Sequence, residues 1–172
     1  MPTESAVLVD DAPMTPAALN EMIARDFQDY AACHVTEATG THLTMEADGA
    51  RLRTRPGGSV SGPEQAALVD LAAFLLVNAR LGRPTLMALT SSIQISYLSR
   101  PRPGPLRTHA EMAKFGSRLC VVLTELRDGA GTLAATATVT YSVPPVARRA
   151  DPRRGSMPDG SPAGDPPAGG GS

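Results

Sequence analysis

One carboxylate stands inside an otherwise apolar segment of the sequence. Between residues 66 and 77, eleven of twelve side chains are apolar, and the exception is Asp70. Burying a charged carboxylate is costly, so it persists where it receives hydrogen bonds, is neutralised, or borders a cleft that substrate and water enter. In the last case Asp70 is a candidate general base or nucleophile. In the first case it only braces a neighbouring backbone group.

A second group with possible chemistry lies about two helical turns before Asp70. The segment Ser61–Glu64 has the spacing of a capping box with proline in the first turn, which predicts a helix from there to about Leu81. Free N–H groups and the positive dipole end favour a developing negative charge, and Gly62 lets a ligand approach the backbone closely. An oxyanion donor and a carboxylate base are the minimum equipment for hydrolysing an activated acyl group. The same residues are equally compatible with a plain helix start.

Hydrophobic periodicity predicts the elements that must position these groups. An amphipathic helix is predicted over residues 15–32, then a strand over 34–47, a turn at 48–49 and a short strand over 51–53. The helix that contains Asp70 has no polar face, so it must be buried nearly all round. After Gly82 the sequence predicts four strands, over residues 86–98, 106–115, 118–126 and 132–142. Short joins between these strands predict that consecutive strands are antiparallel neighbours.

These elements predict an α+β domain in which a curved antiparallel sheet wraps around a long central helix. The 172 residues suffice for one such domain, which we assign to residues 15–145. Residues 1–14 are expected to be a flexible N-terminus, and residues 146–172 a disordered Gly/Pro-rich tail.

Composition limits the partners. A net charge of −1 and only six aromatic side chains argue against nucleic acid. No apolar run reaches the roughly 20 residues that cross a bilayer, and the N-terminus lacks the pattern of a secretory signal, so no membrane contact and a cytoplasmic location are expected. Cys33 and Cys120 have no CxxC spacing, and the three histidines form no ligand motif, so we expect free thiols and no metal.

Several segments resemble the hotdog-fold thioesterases of the phenylacetate-degradation (PaaI-like) type. The matching segments are residues 55–63, 68–72, 90–104 and 114–119, and the resemblance extends over about residues 27–145. It implies a central helix wrapped by an antiparallel sheet and a homodimer paired across sheet edges, often doubled to a homotetramer. It also implies two acyl-CoA sites per dimer at the subunit seam, with CoA as part of the substrate and no cofactor.

The resemblance also assigns roles to residues. In that family a His-Gly-Gly turn opens the helix, and an acidic residue follows nine positions after the histidine. Here Ser61, Gly62 and Pro63 occupy the turn and Asp70 the acidic position. The resemblance implies that the Gly62 N–H polarises the thioester carbonyl, that Asp70 activates water or attacks the carbonyl, and that Thr90 helps to hold the water.

Substrate contacts are expected around these residues. The turn residues Ser61 and Pro63 are candidates, although Pro63 has no N–H to offer. Relatives often orient water with an Asn or Gln before the turn, but residues 54–59 contain neither, so the water-holding group is expected among Thr90, Ser91 and Ser92. The cations expected to meet the CoA phosphates are Arg100, Arg102, Lys114 and Arg118.

The main hypothesis is therefore a homo-oligomeric acyl-CoA thioesterase, and three alternatives remain open. A non-catalytic module would bind acyl-CoA or acyl-carrier protein without turnover. A hydratase or dehydratase would need a catalytic histidine beside the acid, and none is near Asp70 in sequence. In a structural self-association domain, Asp70 would only brace the dimer.

Overall fold

The computed structural model describes residues 7–8, 12–143 and 146–147 of the chain. Within these ranges the helices are α1 (Pro16–Asp26) and α2 (Gly62–Leu81), and single 3-10 turns lie at Gln28–Tyr30 and Gly49–Arg51. The strands are β1 (Val7–Leu8), β2 (Cys33–Ala38), β3 (His42–Asp48), β4 (Leu89–Tyr97), β5 (Pro105–Phe115), β6 (Leu119–Asp128), β7 (Leu133–Ser142) and β8 (Val146–Ala147).

Helix α2 lies at the centre of the fold. All its side chains from Leu71 to Ala79 are buried, and it packs against strands of the sheet on several sides. It ends at Gly82, whose φ of 74° is the left-handed conformation that glycine adopts without strain, and whose N–H donates to the carbonyls of Asn78 and Ala79. The predicted helix, buried nearly all round, is confirmed.

Six strands form one antiparallel sheet around α2, in the order β2-β3-β5-β6-β7-β4. Strand β7 shows why these residues form a sheet with one apolar face, because its threonines alternate with the buried side chains of Ala135, Ala137, Val139 and Tyr141. The predicted α+β architecture, a curved sheet wrapped around a long central helix, is confirmed as the hotdog fold.

The neighbours of β4 differ from the prediction. Strand β4 lies at the edge of the sheet and does not pair with β5, which follows it in the chain. It pairs with β7, in a register that runs from Leu89 opposite Ser142 to Tyr97 opposite Ala135. The crossing covers three strand spacings, about 14 Å. Residues 98–104 can span about 23 Å when extended, so a short loop suffices to carry the chain across the end of α2 to the middle of the sheet.

Residues 34–53 also differ from the prediction. A turn at residues 39–41 divides the predicted strand into the hairpin β2–β3, because the Thr39 hydroxyl oxygen accepts hydrogen bonds from the N–H groups of Thr41 and His42. The predicted short strand at 51–53 is not formed. Its place is taken by the 3-10 turn at Gly49–Arg51, which is capped by the Asp48 carboxylate accepting from the Ala50 N–H.

The predicted starts of both helices are correct, but the predicted end of α1 and the predicted capping box of α2 are not. Helix α1 begins after Thr15, which caps it as predicted, yet it ends at Asp26 rather than near residue 32 because Phe27 leaves the helical conformation. The capping box at α2 is not formed. The Ser61 side chain makes no capping hydrogen bond, and Glu64 instead accepts from the Arg53 guanidinium at 2.7 Å.

The ends of the described chain meet in a separate pair of strands. Strand β1 pairs in parallel with β8. These four residues lie in segments for which flexibility or disorder is predicted, and residues 1–6, 9–11 and 148–172 of those segments lie outside the described part of the chain.

Truncation of the helix core should be costly. Leu75 in α2 is fully buried, so Leu75→Ala is expected to lower the free energy of unfolding by about 2–5 kcal/mol through lost burial and the cavity left behind. Urea unfolding at matched protein concentration measures this, with the exposed helical substitution Glu21→Ala as the control, expected to change stability by less than about 0.5 kcal/mol. Equal effects of the two substitutions would contradict a core centred on α2.

Candidate active site

Two hydroxyl groups hold one oxygen of the Asp70 carboxylate. Tyr141 Oη donates to Asp70 Oδ1 at 2.6 Å, and Thr90 Oγ1 donates to the same oxygen at 3.0 Å. Asp70 is half-buried, and its Oδ2 receives no hydrogen bond from the described residues. The carboxylate is therefore fixed through one oxygen and keeps the other available for chemistry.

A β-bulge brings the two hydroxyls together. Thr90 lies directly opposite Tyr141 in the ladder of β4 and β7, and the register shifts between Thr90 and Ser92. If the side chains of β4 alternated regularly from Ile93 toward the start of the strand, Ser91 would face helix α2 and Thr90 would face away from it. The bulge at Ser91 advances the strand by one residue, so that the Thr90 hydroxyl shares the inner face with Tyr141.

Asp70 borders an apolar cavity of about 470 Å³. Aromatic rings form much of its wall: the Phe27 and Phe74 rings meet edge to face with centroids 5.3 Å apart, and the Phe74 and Tyr141 centroids are 6.0 Å apart. The other lining residues are Asp26, Tyr30, Ala67, Leu71, Leu86, Ala88, Leu89 and Thr90. Such a cavity beside a carboxylate can receive an apolar group whose reactive end stays at Asp70.

Burial determines the state of Tyr141. It raises the pKa of the Tyr141 hydroxyl far above its ordinary value, and the hydrogen bond to Asp70 adds to this effect. Tyr141 is therefore protonated, and a hydrogen-bond donor to Asp70, at any pH at which the protein would work. The sequence indicates that Tyr141 faces the core, but nothing in it pairs this residue with Asp70.

A second cavity, of about 420 Å³, lies at the start of α2. It is lined by Arg55, Ser59, Val60, Gly62, Gln65, Tyr97, Leu98, Ser99 and Arg100. Tyr97 Oη donates to the Gly62 carbonyl at 3.1 Å. The amide side chain missing from the preceding loop is present here on the helix, where Gln65 Nε2 donates to the Val60 carbonyl and Oε1 has no partner among the described residues.

Gly62 and Asp70 are not adjacent within one chain. They are eight residues apart on α2, which is a rise of about 12 Å and a rotation of about 80° around the helix axis. A thioester carbonyl in contact with the Gly62 N–H therefore cannot also meet water held by Asp70 of the same chain. Each group lines its own cavity.

Three of the other predicted site residues line neither the Asp70 nor the Gly62 cavity. Ser61 is half-buried at the start of α2, Pro63 is exposed, and Ser92 is opposite Thr140 on the outer face of the sheet.

The predicted cations fall into two groups. Arg100 and Arg102, together with Arg55, which sequence analysis did not single out, lie around the second cavity and a polar cavity of about 570 Å³ next to it. Lys114 and Arg118 are exposed at the β5–β6 hairpin and line neither the Asp70 nor the Gly62 cavity.

Neither cysteine has the properties of a nucleophile. Cys33 and Cys120 are both buried, and burial raises the pKa of Cys33 to about 11 and that of Cys120 to about 12. In the described residues, no group of three or more His, Cys, Asp or Glu side chains could hold a metal ion. No helix there is long and apolar enough to span a membrane.

Comparison with known proteins gives one family match. The sequence pattern of the thioesterase superfamily matches residues 57–135, which include Gly62, Asp70 and Thr90. This match supports the expected resemblance to the thioesterase superfamily over 79 of the 172 residues. No curated protein matches it at a significant level.

Solved structures of this superfamily share the fold. A candidate thioesterase of Silicibacter sp. TM1040 is 28% identical, with a TM-score of 0.71 over 82% of this chain and 100% of that one. A phenylacetic acid degradation-related candidate thioesterase of Ralstonia eutropha is 25% identical, with a TM-score of 0.61 over 73% and 99% of the two chains. A hypothetical thioesterase of Streptococcus pneumoniae, solved with coenzyme A, is 17% identical, with a TM-score of 0.63 over 76% and 100%. The PaaI-like resemblance expected from the sequence is confirmed.

Thiol labelling should distinguish the native from the unfolded protein. Because the raised pKa values keep Cys33 and Cys120 protonated and burial shields them, an aromatic disulfide reagent at pH 8 is expected to label neither within minutes. Unfolding in guanidinium should expose both thiols of each chain. Fast labelling of the native protein would contradict the burial described above, and Cys33→Ala and Cys120→Ala variants would identify the reactive residue.

Proposed function

We propose that the protein hydrolyses acyl-CoA thioesters to a free acid and CoA, in an active site assembled from two copies of the chain. The observation that carries this proposal is the Asp70 carboxylate, fixed through Oδ1 by Tyr141 and Thr90 and placed at the edge of an apolar cavity. Thioester hydrolysis in general is the chemistry of the superfamily. The CoA ester as substrate and the roles of individual residues are the parts that we add.

The reaction needs one base and one oxyanion donor. Asp70 Oδ2 accepts a proton from water while the water oxygen bonds to the thioester carbonyl carbon, and the carbonyl electron pair moves onto oxygen. The Gly62 N–H, at the positive end of α2, donates to that oxygen. The intermediate then collapses as the C–S bond breaks and the CoA sulfur takes the proton from Asp70. Direct attack by Oδ2, through an acyl anhydride that water hydrolyses, gives the same products.

The distance between Gly62 and Asp70 in one chain supports a site shared between two copies. Strand β4 is an edge of the sheet, and all but one of its residues are exposed, including Leu89 and Tyr97 at 63% and 50%. Such an edge favours pairing with another strand. A two-fold axis would pair β4 antiparallel with its own copy. The end of β4 near Gly62 of one chain would then adjoin the end near Asp70 of the other.

The arginines support a CoA ester rather than a simple thioester. Arg55 and Arg100 line the Gly62 cavity, and Arg100 and Arg102 line the polar cavity next to it. None of the three forms a salt bridge with the described residues. Guanidinium groups bind phosphate well. The nucleotide of CoA would lie here, while the acyl group enters the aromatic cavity at Asp70 of the other copy. The hypothetical thioesterase of Streptococcus pneumoniae solved with coenzyme A has the same fold.

Loss of the base should abolish turnover. Asp70→Asn keeps the size of the side chain but removes the proton acceptor, so the rate of CoA release is expected to fall by about 10²- to 10⁴-fold with the oligomer intact. The measurement uses short, long and aromatic acyl-CoAs and follows the loss of the thioester absorbance or separates free CoA by chromatography. Asp26→Asn is the matched control, since Asp26 lines the same cavity but pairs with Arg25 at 2.7 Å. It should retain far more activity than Asp70→Asn.

Two other outcomes would decide against the proposal. An active Asp70→Asn variant would exclude the assigned base. No turnover of any acyl-CoA by the wild type, with binding of the ester retained, would favour the non-catalytic acyl-CoA-binding module.

Mixing two inactive variants should restore activity if the site is shared. Gly62→Pro removes the donor N–H at a helix position where proline is tolerated, whereas Gly62→Ala keeps the N–H and brings a methyl group to 3.4 Å from the Tyr97 ring. Unfolding and refolding an equal mixture of Gly62→Pro and Asp70→Asn chains should give about one quarter of wild-type activity. Half of random dimers are mixed, and each mixed dimer has one intact site.

The refolded single variants serve as controls and should stay inactive. If Gly62→Pro alone is active, the Gly62 N–H is not the oxyanion donor. A mixture that assembles mixed dimers but stays inactive would contradict a shared site.

A further inference from the structure

We infer that Tyr141 is the principal positioning residue of the active site, because it holds Asp70 Oδ1 and so leaves Oδ2 as the reacting oxygen. This inference rests on the proposed thioesterase function. It goes beyond that function because it states that a tyrosine of the core determines which oxygen of Asp70 reacts.

The geometry of the Tyr141 hydroxyl supports this role. Its distance of 2.6 Å to Asp70 Oδ1 is in the short range of charge-assisted O–H···O⁻ bonds. The same hydroxyl lies 3.1 Å from the Asp70 backbone carbonyl, so Tyr141 contacts both the side chain and the main chain of this residue. A hydroxyl has one proton to donate. The charged carboxylate oxygen is closer than the backbone carbonyl oxygen and is the stronger acceptor.

Tyr141 is also rigidly placed. The residue is only 2% exposed on β7, an interior strand between β6 and β4, and its ring lies against the ring of Phe74 on α2. Thr90, the other donor to Oδ1, is exposed on the edge strand β4, and its hydrogen bond is longer, at 3.0 Å. Tyr141 therefore contributes more than Thr90 to the orientation of the carboxylate.

The hydrogen bond has a consequence for the rate rather than for binding. Oδ2 must meet the attacking water in one orientation, and Tyr141 fixes that orientation through Oδ1. Without the Tyr141 hydroxyl, the carboxylate would adopt several orientations, so kcat would fall while KM stays near its wild-type value.

The test compares kcat, KM and the free energy of unfolding for the wild type, Tyr141→Phe and Thr90→Val. Tyr141→Phe keeps the ring but removes the donor. We expect kcat to fall about 10- to 100-fold with KM little changed. Thr90→Val removes the longer of the two hydrogen bonds and should lower kcat less. A merely structural role of Tyr141 would lower the free energy of unfolding without changing the kcat of the folded protein.

The outcomes separate this inference from the proposed function. Inactivity of the wild type on every acyl-CoA overturns both. An active wild type whose kcat is matched by a folded Tyr141→Phe overturns only the inference. If Tyr141→Phe does not assemble, Thr90→Val decides. A fall in its kcat of less than about 10-fold supports Tyr141 as the main donor, and a fall of about 10- to 100-fold overturns that ranking.

Discussion

The fold depends on the need to bury a helix that is apolar on every side. Helix α2 has no face that can point to water, so a flat sheet packed on one side would leave much of it exposed. A curved six-stranded sheet surrounds it instead, and the crossing from β4 to β5 allows the chain to close around the end of the helix. Asp70 is tolerated because it lies at the boundary of this enclosure, where two hydroxyls from the sheet satisfy one of its oxygens.

The same constraint divides the candidate chemistry between two places. One helix supplies both the backbone amide of Gly62 at its start and the carboxylate of Asp70 two turns further on, and the helix geometry keeps them apart. If two copies paired along β4 around a two-fold axis, the two strands would run in opposite directions. The Gly62 end of one chain would then lie beside the Asp70 end of the other. The arrangement that separates the two groups within a chain would then bring them together between chains, and activity would depend on assembly.

Local patterns in the sequence predict most elements but not their contacts. The apolar run around Asp70 and the alternation in β7 fix the central helix and the inner face of the sheet, because both depend on neighbouring residues. The partner of β4 depends on residues about 45 positions away, and the contact between Tyr141 and Asp70 spans 71 positions, so neither can be read from spacing. The capping box fails for a related reason: Glu64 has a better partner in Arg53, eleven residues earlier. The family resemblance identified Gly62, Asp70 and Thr90 as candidates, but it gave no indication of Tyr141 or Arg55.

The bulge at Ser91 changes how similar sequences should be compared with this one. It shifts the inner face of β4 by one residue, so the hydroxyl opposite Tyr141 comes from position 90, whereas an unbulged strand would present position 91 there. Two relatives can thus keep a hydroxyl at the same point in space while their sequences differ by one place. A column-by-column alignment without a gap would score such a pair as a lost functional group. Whether a similar protein retains this hydroxyl should therefore be decided by superposing the strands of the two structures, not by aligning the two sequences.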